Sequence, residues 1–384
     1  MTSKVNPELI NEIKKYGEVH IEDCINCGNC TAICSLSTKA VPLPRASLRY
    51  LQIGLKDKIL ASLEPWLCYY CGECTQTCPK SADPAETMMS IRRWLTAQYD
   101  FTGLAKKFYT SKLWEIGSVI LVGILVLIIG LILSGPTTTE QVKLNTFAPV
   151  EIVHIADWIL AGTLLFFITI NVFRMWKFVM VDGMENPVPV KFYITEAWHF
   201  VLHLFTQIRW TKCKVGKEKT NWNWISHLLM VSGYGLMLVL IIFFLKWFQV
   251  DEIYPIWHPQ RWLGYYATIV LIFAAGKAII ERIKRTNEMH RFSHASDWIF
   301  PILLLVVTLT GIAIHSFRYF GMPLATYYTY LIHLAVVAPM LILEVPFGKW
   351  AHLYYRPLAI YFHQVKEKAN QKEFITSPVP VSSN

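Results

Sequence analysis

Long uninterrupted apolar runs, separated by short polar segments, make up most of the chain from residue 113 onward. Runs of about 20 residues or more can cross a bilayer. Such runs fall near 113–134, 152–178, 224–248, 262–284, 294–317 and 327–350, which predicts six membrane spans. The first hundred or so residues are different in kind, being mixed polar with no uninterrupted apolar run. A short polar helix is predicted at their start, with Asn6 as its cap, Pro7 at its first position and Gly17 ending it. No apolar stretch follows that helix, so no signal peptide is expected and the N-terminal region is expected to remain in the cytoplasm.

Residues 191–210 also depart from the spanning pattern. Thr195, Glu196, His199, His203, Thr206 and Gln207 form a polar stripe at helical spacing, opposite Trp198, Val201, Leu202, Phe205 and Ile208. This predicts a helix lying in the cytoplasmic interface of the membrane.

Composition agrees with a chain that lives largely in lipid: 54% of its 384 residues are hydrophobic and 16% charged, against roughly a quarter charged in soluble proteins. The net charge of +9 raises the question of nucleic acid, and its distribution answers it. Lys177, Lys191, Arg209, Lys212, Lys214, Lys217 and Lys219 lie between the second and third runs, and Arg282, Lys284, Arg285 and Arg291 between the fourth and fifth. The alternate loops hold Lys143, then Lys246 and Arg261, then Arg318. This is the positive-inside asymmetry. It implies a multi-pass protein of the cytoplasmic membrane with both termini in the cytoplasm, bound to lipid and not to nucleic acid.

Eight of the nine cysteines precede the first span. Cys24, Cys27, Cys30 and Cys34 follow C-x2-C-x2-C-x3-C, and so do Cys68, Cys71, Cys74 and Cys78, with Pro79 completing the second motif. In a reducing compartment clustered cysteines read as metal ligands. Two runs of four in this spacing match two [4Fe-4S] clusters, with Gly28 and Gly72 easing the turns. The fourth cysteine of each run reaches the other cluster in two-cluster ferredoxins. The expected ligand sets are therefore Cys24, Cys27, Cys30 and Cys78 for one cluster, and Cys34, Cys68, Cys71 and Cys74 for the second. A zinc site needs only four ligands in C-x2-C knuckles and accounts poorly for eight. Ser35 stands where the first motif would carry its proline, and Cys213 reads as a small side chain in a basic loop. Asp83, Pro84 and Glu86 predict a capped helix start. Residues 84–112 then read as a juxtamembrane linker whose Arg92, Arg93, Lys106 and Lys107 meet anionic headgroups or water.

Polar rings within spans are costly and mark functional sites. With the derived topology, His227, His294 and His352 fall at the cytoplasmic side, and His154, His258, His315 and His333 at the outer side. His333 and His352 are nineteen residues apart on one run, roughly 28 Å at about 1.5 Å per residue. That is enough to present a ring toward each membrane face, as stacked b hemes in helical bundles require.

The stretch from His333 to His352, with its Pro346–Phe347–Gly348–Lys349 step, resembles the last heme-binding span of the nitrate reductase gamma subunit family. The stretch ISHLLMVSGYGLM, from Ile225 to Met237, resembles the facing span, where that family has two histidines ten residues apart. The first matches His227; the second position is Met237. The resemblance implies a cytoplasmic-side b heme held by His227 and His352. It also implies an outer one held by His333, whose partner the resemblance leaves open: His154 and His315 lie at the right depth, His154 being favoured, and Met237 is the further alternative. The cysteine motifs resemble the C-subunit of heterodisulfide reductases. A fusion of the two is similar to the membrane C-subunits of quinone-modifying (Qmo) oxidoreductase complexes. That resemblance implies menaquinone as substrate and electron exchange with adenylylsulfate reductase. It also implies soluble flavin/iron–sulfur partners like the A-subunit of heterodisulfide reductases.

Two groups of residues are candidates for handling the quinone and its protons: Asp157 with His154 at the outer side, or His199, His203, Lys277 and Glu344 toward the cytoplasm. Lys277 and Glu344 are expected to pair. No flavin or dinucleotide glycine motif occurs, so catalysis beyond quinone chemistry belongs to partners. The expected class is mainly α, with a two-cluster ferredoxin-like domain over 1–83, the linker, a six-helix transmembrane bundle over 113–352 and a cytoplasmic tail over 353–384. A membrane subunit tied to a heterodisulfide or sulfite reductase, or a redox anchor or sensor without quinone chemistry, fits the same pattern.

Overall fold

The computed structural model describes residues 4–213, 221–285 and 288–376. Lys214, Lys217 and Lys219, three of the basic loop residues, lie outside the described residues. Every regular element among those described is a helix, so the protein is mainly α, as its sequence predicts. The chain forms two units: Met1–Phe101, Asn171–Thr220 and Ala351–Asn384 in one, Thr102–Ile170 and Asn221–Trp350 in the other.

Six helices are long and apolar enough to cross a membrane: Lys112–Leu133, Val150–Val181, Trp222–Phe248, Pro259–Lys284, Ser296–Tyr319 and Pro323–Phe347. Each lies within a few residues of a predicted run. In lipid, helices gain little from burying apolar side chains against each other, so close backbone approach through small residues matters more. Gly123 and Gly130 bring the first span onto the sixth: a Cβ at Gly123 would lie 2.8 Å from the Ala335 carbonyl oxygen, and one at Gly130 2.8 Å from Leu331 Cδ2. Gly233 does the same between the third and fourth spans, where a Cβ would come within 2.5 Å of Val270 Cγ2. The sixth span contains a π-helical turn over Met340–Glu344, just before Pro346.

The cysteine-bearing unit differs from its sequence-based outline in several places. The first helix is shorter, Leu9–Lys14, and Asn6 Oδ1 accepts from the Glu8 N–H at 3.1 Å. The Pro84–Tyr99 helix is not a linker in contact with headgroups. It is buried along nearly its whole length. Asp83 makes no side-chain cap there, and Glu86 turns away from the helix start to pair with Arg93 at 2.9 Å and accept from the Tyr70 hydroxyl at 2.5 Å. The carbonyls of Gln98 and Tyr99 at its far end are met by Arg174, each at 2.8 Å.

The region expected as a cytoplasmic tail is a helix as far as Thr376 (His352–Thr376), with Tyr355, Ala359 and Val365 fully buried. The Val190–Thr206 helix packs along it. Glu196, only 5% exposed, pairs with Lys368 and His199, and the Tyr361 hydroxyl donates to the Tyr193 carbonyl at 2.8 Å. Glu196 and Gln207 of the polar stripe are thus buried against protein, while Ile194, Trp198 and Phe205 are exposed. The direction is inverted from that of a soluble amphipathic helix, and it is the direction a helix lying in lipid requires.

Glu86 and Arg93 are both buried, 2% and 4% exposed, so neither charge can fall back on water. Glu86→Ala is expected to destabilise this unit by about 3–5 kcal/mol. The measurement is urea unfolding of the full-length detergent-solubilised protein, read as earlier loss of the visible iron–sulfur chromophore. Unfolding at the wild-type urea concentration would show that the pair is dispensable.

Candidate functional site

The two cysteine motifs fold alike. In each, the residue before the second cysteine has positive φ (Asn26 at 57°, Tyr70 at 59°), and the glycine after it sits at 86° (Gly28 and Gly72). This pair of left-handed residues folds the chain back so that successive cysteines face one point. Each glycine then opens a short helix, Asn29–Ile33 or Glu73–Gln76. Asn29 Nδ2 ties one motif to the other by donating to the Thr77 carbonyl at 2.6 Å. The strained Asn26 is held by Arg45, whose Nε donates to Asn26 Oδ1 at 2.9 Å.

Cys24, Cys27, Cys30 and Cys78 line one common pocket, together with Arg45 and Lys80. Cys34, Cys68, Cys71 and Cys74 act on one another electrostatically, and Cys74 also feels Cys30 of the first set. Burial pushes Cys34 up to about 11 and Cys74 well above the ordinary thiol range. Four thiolates cannot gather in that setting without cationic metal between them. Among the described residues, no three His, Cys, Asp or Glu side chains converge closely enough for a single metal ion. A four-iron cubane holds its thiolates further apart than zinc does, so this donor set fits the cluster.

The six-span unit contains a cavity of about 260 Å³. His333, His315, Met237 and Asp157 line it, with Tyr265, Arg261 and Arg318. His333 Nδ1 is bonded to Thr310 Oγ1 at 2.9 Å, and His315 Nε2 to the Tyr265 hydroxyl at 2.9 Å. Asp157 Oδ2 is buried with no hydrogen-bond partner. His154, the favoured partner of His333 in the sequence, is not among the lining residues. Its Nε2 lies 3.1 Å from the Ile242 carbonyl and 3.1 Å from the Trp158 indole nitrogen. One helical turn separates His154 from Trp158, and the indole competes for the ring. His227 lies in the third span and His352 opens the last helix.

The cytoplasmic-side quinone candidates are differently placed. Lys277 does not pair with Glu344. It bonds Glu281 and Asn223, each at 2.9 Å, because Glu281 lies one turn away on the same helix. Glu344 is fully buried. His199 and His203 stack with ring centroids 6.5 Å apart, on the Val190–Thr206 helix. Burial, then Arg209, His199 and Lys212, hold His203 down at about 4, so it is neutral near pH 7.

Comparison with known proteins bears on the cysteine-bearing unit. Residues 23–82 match the family model described as "4Fe-4S dicluster domain". This segment is a 4Fe-4S dicluster domain. The chain is 34% identical over 106 residues to a heterodisulfide reductase C-subunit-like protein of Archaeoglobus profundus, covering 27% of this chain and 56% of that protein. It is 27% identical over 116 residues to the iron-sulfur C-subunit of the CoB–CoM heterodisulfide reductase of Methanopyrus kandleri, covering 28% and 56%. It is 32% identical over 88 residues to the C-subunit of the H(2):CoB-CoM heterodisulfide,ferredoxin reductase of Methanothermobacter thermautotrophicus, covering 23% and 48%. The chain thus spans about half the length of these curated relatives, and its cysteine-bearing region is homologous to them. No solved structure matches the chain at a significant level.

Around the dicluster domain stand residues that sequence reasoning placed elsewhere or passed over. Arg92 donates to the Pro65 carbonyl at 2.8 Å and to the Cys68 carbonyl at 2.6 Å. Arg356, from the last helix, reaches the same Cys68 carbonyl at 3.3 Å and lies 4.5 Å over the Tyr69 ring. Both guanidiniums are buried. Trp210 packs on Tyr69 at 5.4 Å. Cys213 is more than a small loop side chain: it acts on Cys71 and, against the effect of burial, lowers that thiol. Nothing in the local sequence marks Arg356, which is 288 residues from Cys68; only the fold of the last helix brings it there.

Two buried positive charges beside Cys68 favour the more negative, reduced state of whatever cluster that cysteine binds. Arg356→Gln is expected to lower the midpoint potential of one cluster by roughly 40–90 mV, the scale of about 1–2 kcal/mol per electron, with iron content unchanged. A redox titration followed by electron paramagnetic resonance reads this, and two unchanged midpoints would refute it.

Proposed function

We propose that this chain is a membrane electron-transfer subunit that exchanges electrons between menaquinone or menaquinol and soluble cytoplasmic partners, through b hemes and two [4Fe-4S] clusters. The observation that carries this reading is the joining, in one chain, of a dicluster domain to a six-span unit whose cavity is lined by His333, His315, Met237 and Asp157. Clusters and hemes, when bound, supply one-electron carriers. The chain's own residues hold them, exclude water and take up protons.

Cys24, Cys27, Cys30 and Cys78 are assigned to one cluster, and Cys34, Cys68, Cys71 and Cys74 to the other. His227 and His352 are assigned to the cytoplasmic-side heme. For the outer heme His333 is assigned, and the shared cavity favours His315 or Met237 over His154 as its partner. Quinol oxidation releases two electrons and two protons. Asp157, with a buried oxygen lacking any partner on the cavity wall, is the residue proposed to accept a proton. Lys277 is excluded from that role by its own ion pair.

Two of the named relatives are C-subunits of heterodisulfide reductases and the third is C-subunit-like, which supports partnership with other subunits of such enzymes; soluble flavin/iron–sulfur partners rest on the resemblance. The tie to adenylylsulfate reductase rests on the resemblance to quinone-modifying complexes. The basic loops support a cytoplasmic-membrane location with both termini inside.

Two measurements test the reading. A menaquinol analogue added to the detergent-solubilised protein is expected to reduce the heme absorption bands, and Asp157→Asn to slow that reduction by about tenfold to a hundredfold. Intact hemes that quinol does not reduce would leave only a redox anchor. In the second, His227→Ala and His352→Ala are expected to remove the same heme signal, and His333→Ala a different one; loss of different signals in the first two would refute that ligand pairing.

A further inference from the structure

Arg261 and Arg318 are 9% and 6% exposed, and both line the cavity of the six-span unit. Arg261 lies in the first turn of the fourth span and Arg318 in the last turn of the fifth. Neither makes a salt bridge among the described residues, and the Nε of each is buried without a hydrogen-bond partner. Arg318 Nη2 is spent on the Val250 carbonyl, with the Glu252 carbonyl at 3.5 Å. Asp251, whose field reaches Arg318, accepts from the Asn145 N–H at 2.8 Å. Asp157 is the only acid among the lining residues. The rest of the wall is largely aliphatic and aromatic.

Two unpaired guanidiniums in one apolar cavity repel each other and have lost their hydration. A ligand that repairs this must carry two negative groups on an otherwise apolar body. Neutral menaquinone supplies no charge. A b heme does: it has two propionate carboxylates on one edge of a flat apolar ring. His333 is also prepared for such a ligand. With Nδ1 engaged by Thr310, its Nε2 is left to the cavity, which is the arrangement that orients a metal-bound imidazole. Gly311 lies beside the ring, where a Cβ would make only ordinary contact with His333 Cε1 at 3.4 Å.

We propose that Arg261 and Arg318 bind the two propionates of the outer heme, each through a charge-assisted pair, while His333 takes the iron. This rests on the reading that a b heme occupies the outer half of the six-span unit, and it adds residues that fix the orientation of that heme and raise its potential. The two positive charges favour the reduced heme over its oxidised form.

The test uses the full chain, produced without heme, solubilised in detergent and titrated with hemin or with hemin dimethyl ester, whose propionates carry no charge. The heme signal followed is the one absent from His333→Ala. Wild type is expected to bind hemin at least tenfold more tightly than the ester. Arg261→Gln/Arg318→Gln is expected to bind the two alike and to lower the midpoint potential of that heme. Arg261→Lys/Arg318→Lys is expected to regain the preference. Equal binding of both forms by wild type overturns the proposal, and needs no variant to fold. So does a preference that survives in the glutamine variant. A wild-type protein that takes up no His333-dependent heme overturns the outer-heme reading itself, an outcome distinct from either.

Discussion

A charge removed from water must meet an opposite charge or a set of aligned dipoles, and most of this molecule's organisation follows from that requirement. In the cysteine-bearing unit Arg93 is answered by Glu86, and Arg92 and Arg356 are answered by the carbonyls of Pro65, Trp66 and Cys68. These contacts fix the backbone that leads into the second cysteine motif. Cys30, Cys34, Cys68 and Cys74, raised chiefly by burial, are stabilised as thiolates by bound iron. Cluster binding and the packing of this unit are therefore coupled, and the buried arginines take part in both.

In the six-span unit the same requirement has a different outcome. The lipid-facing sides carry almost no charge, and the helices meet through Gly123, Gly130 and Gly233. Charge is concentrated instead on a few inward positions. Lys277 is satisfied by Glu281 and Asn223. Arg261, Arg318 and Asp157 line a cavity and keep buried polar atoms that the protein does not satisfy. Glu115 and Glu344, away from that cavity wall, likewise keep buried carboxylate oxygens without a partner.

The last helix links the two themes. His352 begins it, Arg356 reaches Cys68 one turn later, and Lys368 closes on Glu196 near its end. A segment that follows the sixth span thus serves the dicluster domain. The apolar side of the Val190–Thr206 helix is left exposed, with Trp198 and Phe205 outward, because its polar side is consumed in holding the last helix.

The helical class, the six spans and the cysteine chemistry are all written in local spacing. Continuous hydrophobicity over a bilayer thickness, or thiols two and three residues apart, needs no distant residue to be recognised. What each buried polar group faces is settled only when the chain folds. The capping reading of Asp83 and Glu86 failed because Arg93 and Tyr70 offered Glu86 a stronger partner than a backbone N–H. The expected Lys277–Glu344 pair failed because Glu281 is one turn away, and Glu196 meets protein because Lys368 lies across from it. His154 and His315 stand at similar depth in the sequence, and only the packing of the spans puts one of them on the cavity wall. Partner choice for a charge depends on distances between residues far apart in the chain, and spacing along the sequence does not carry them.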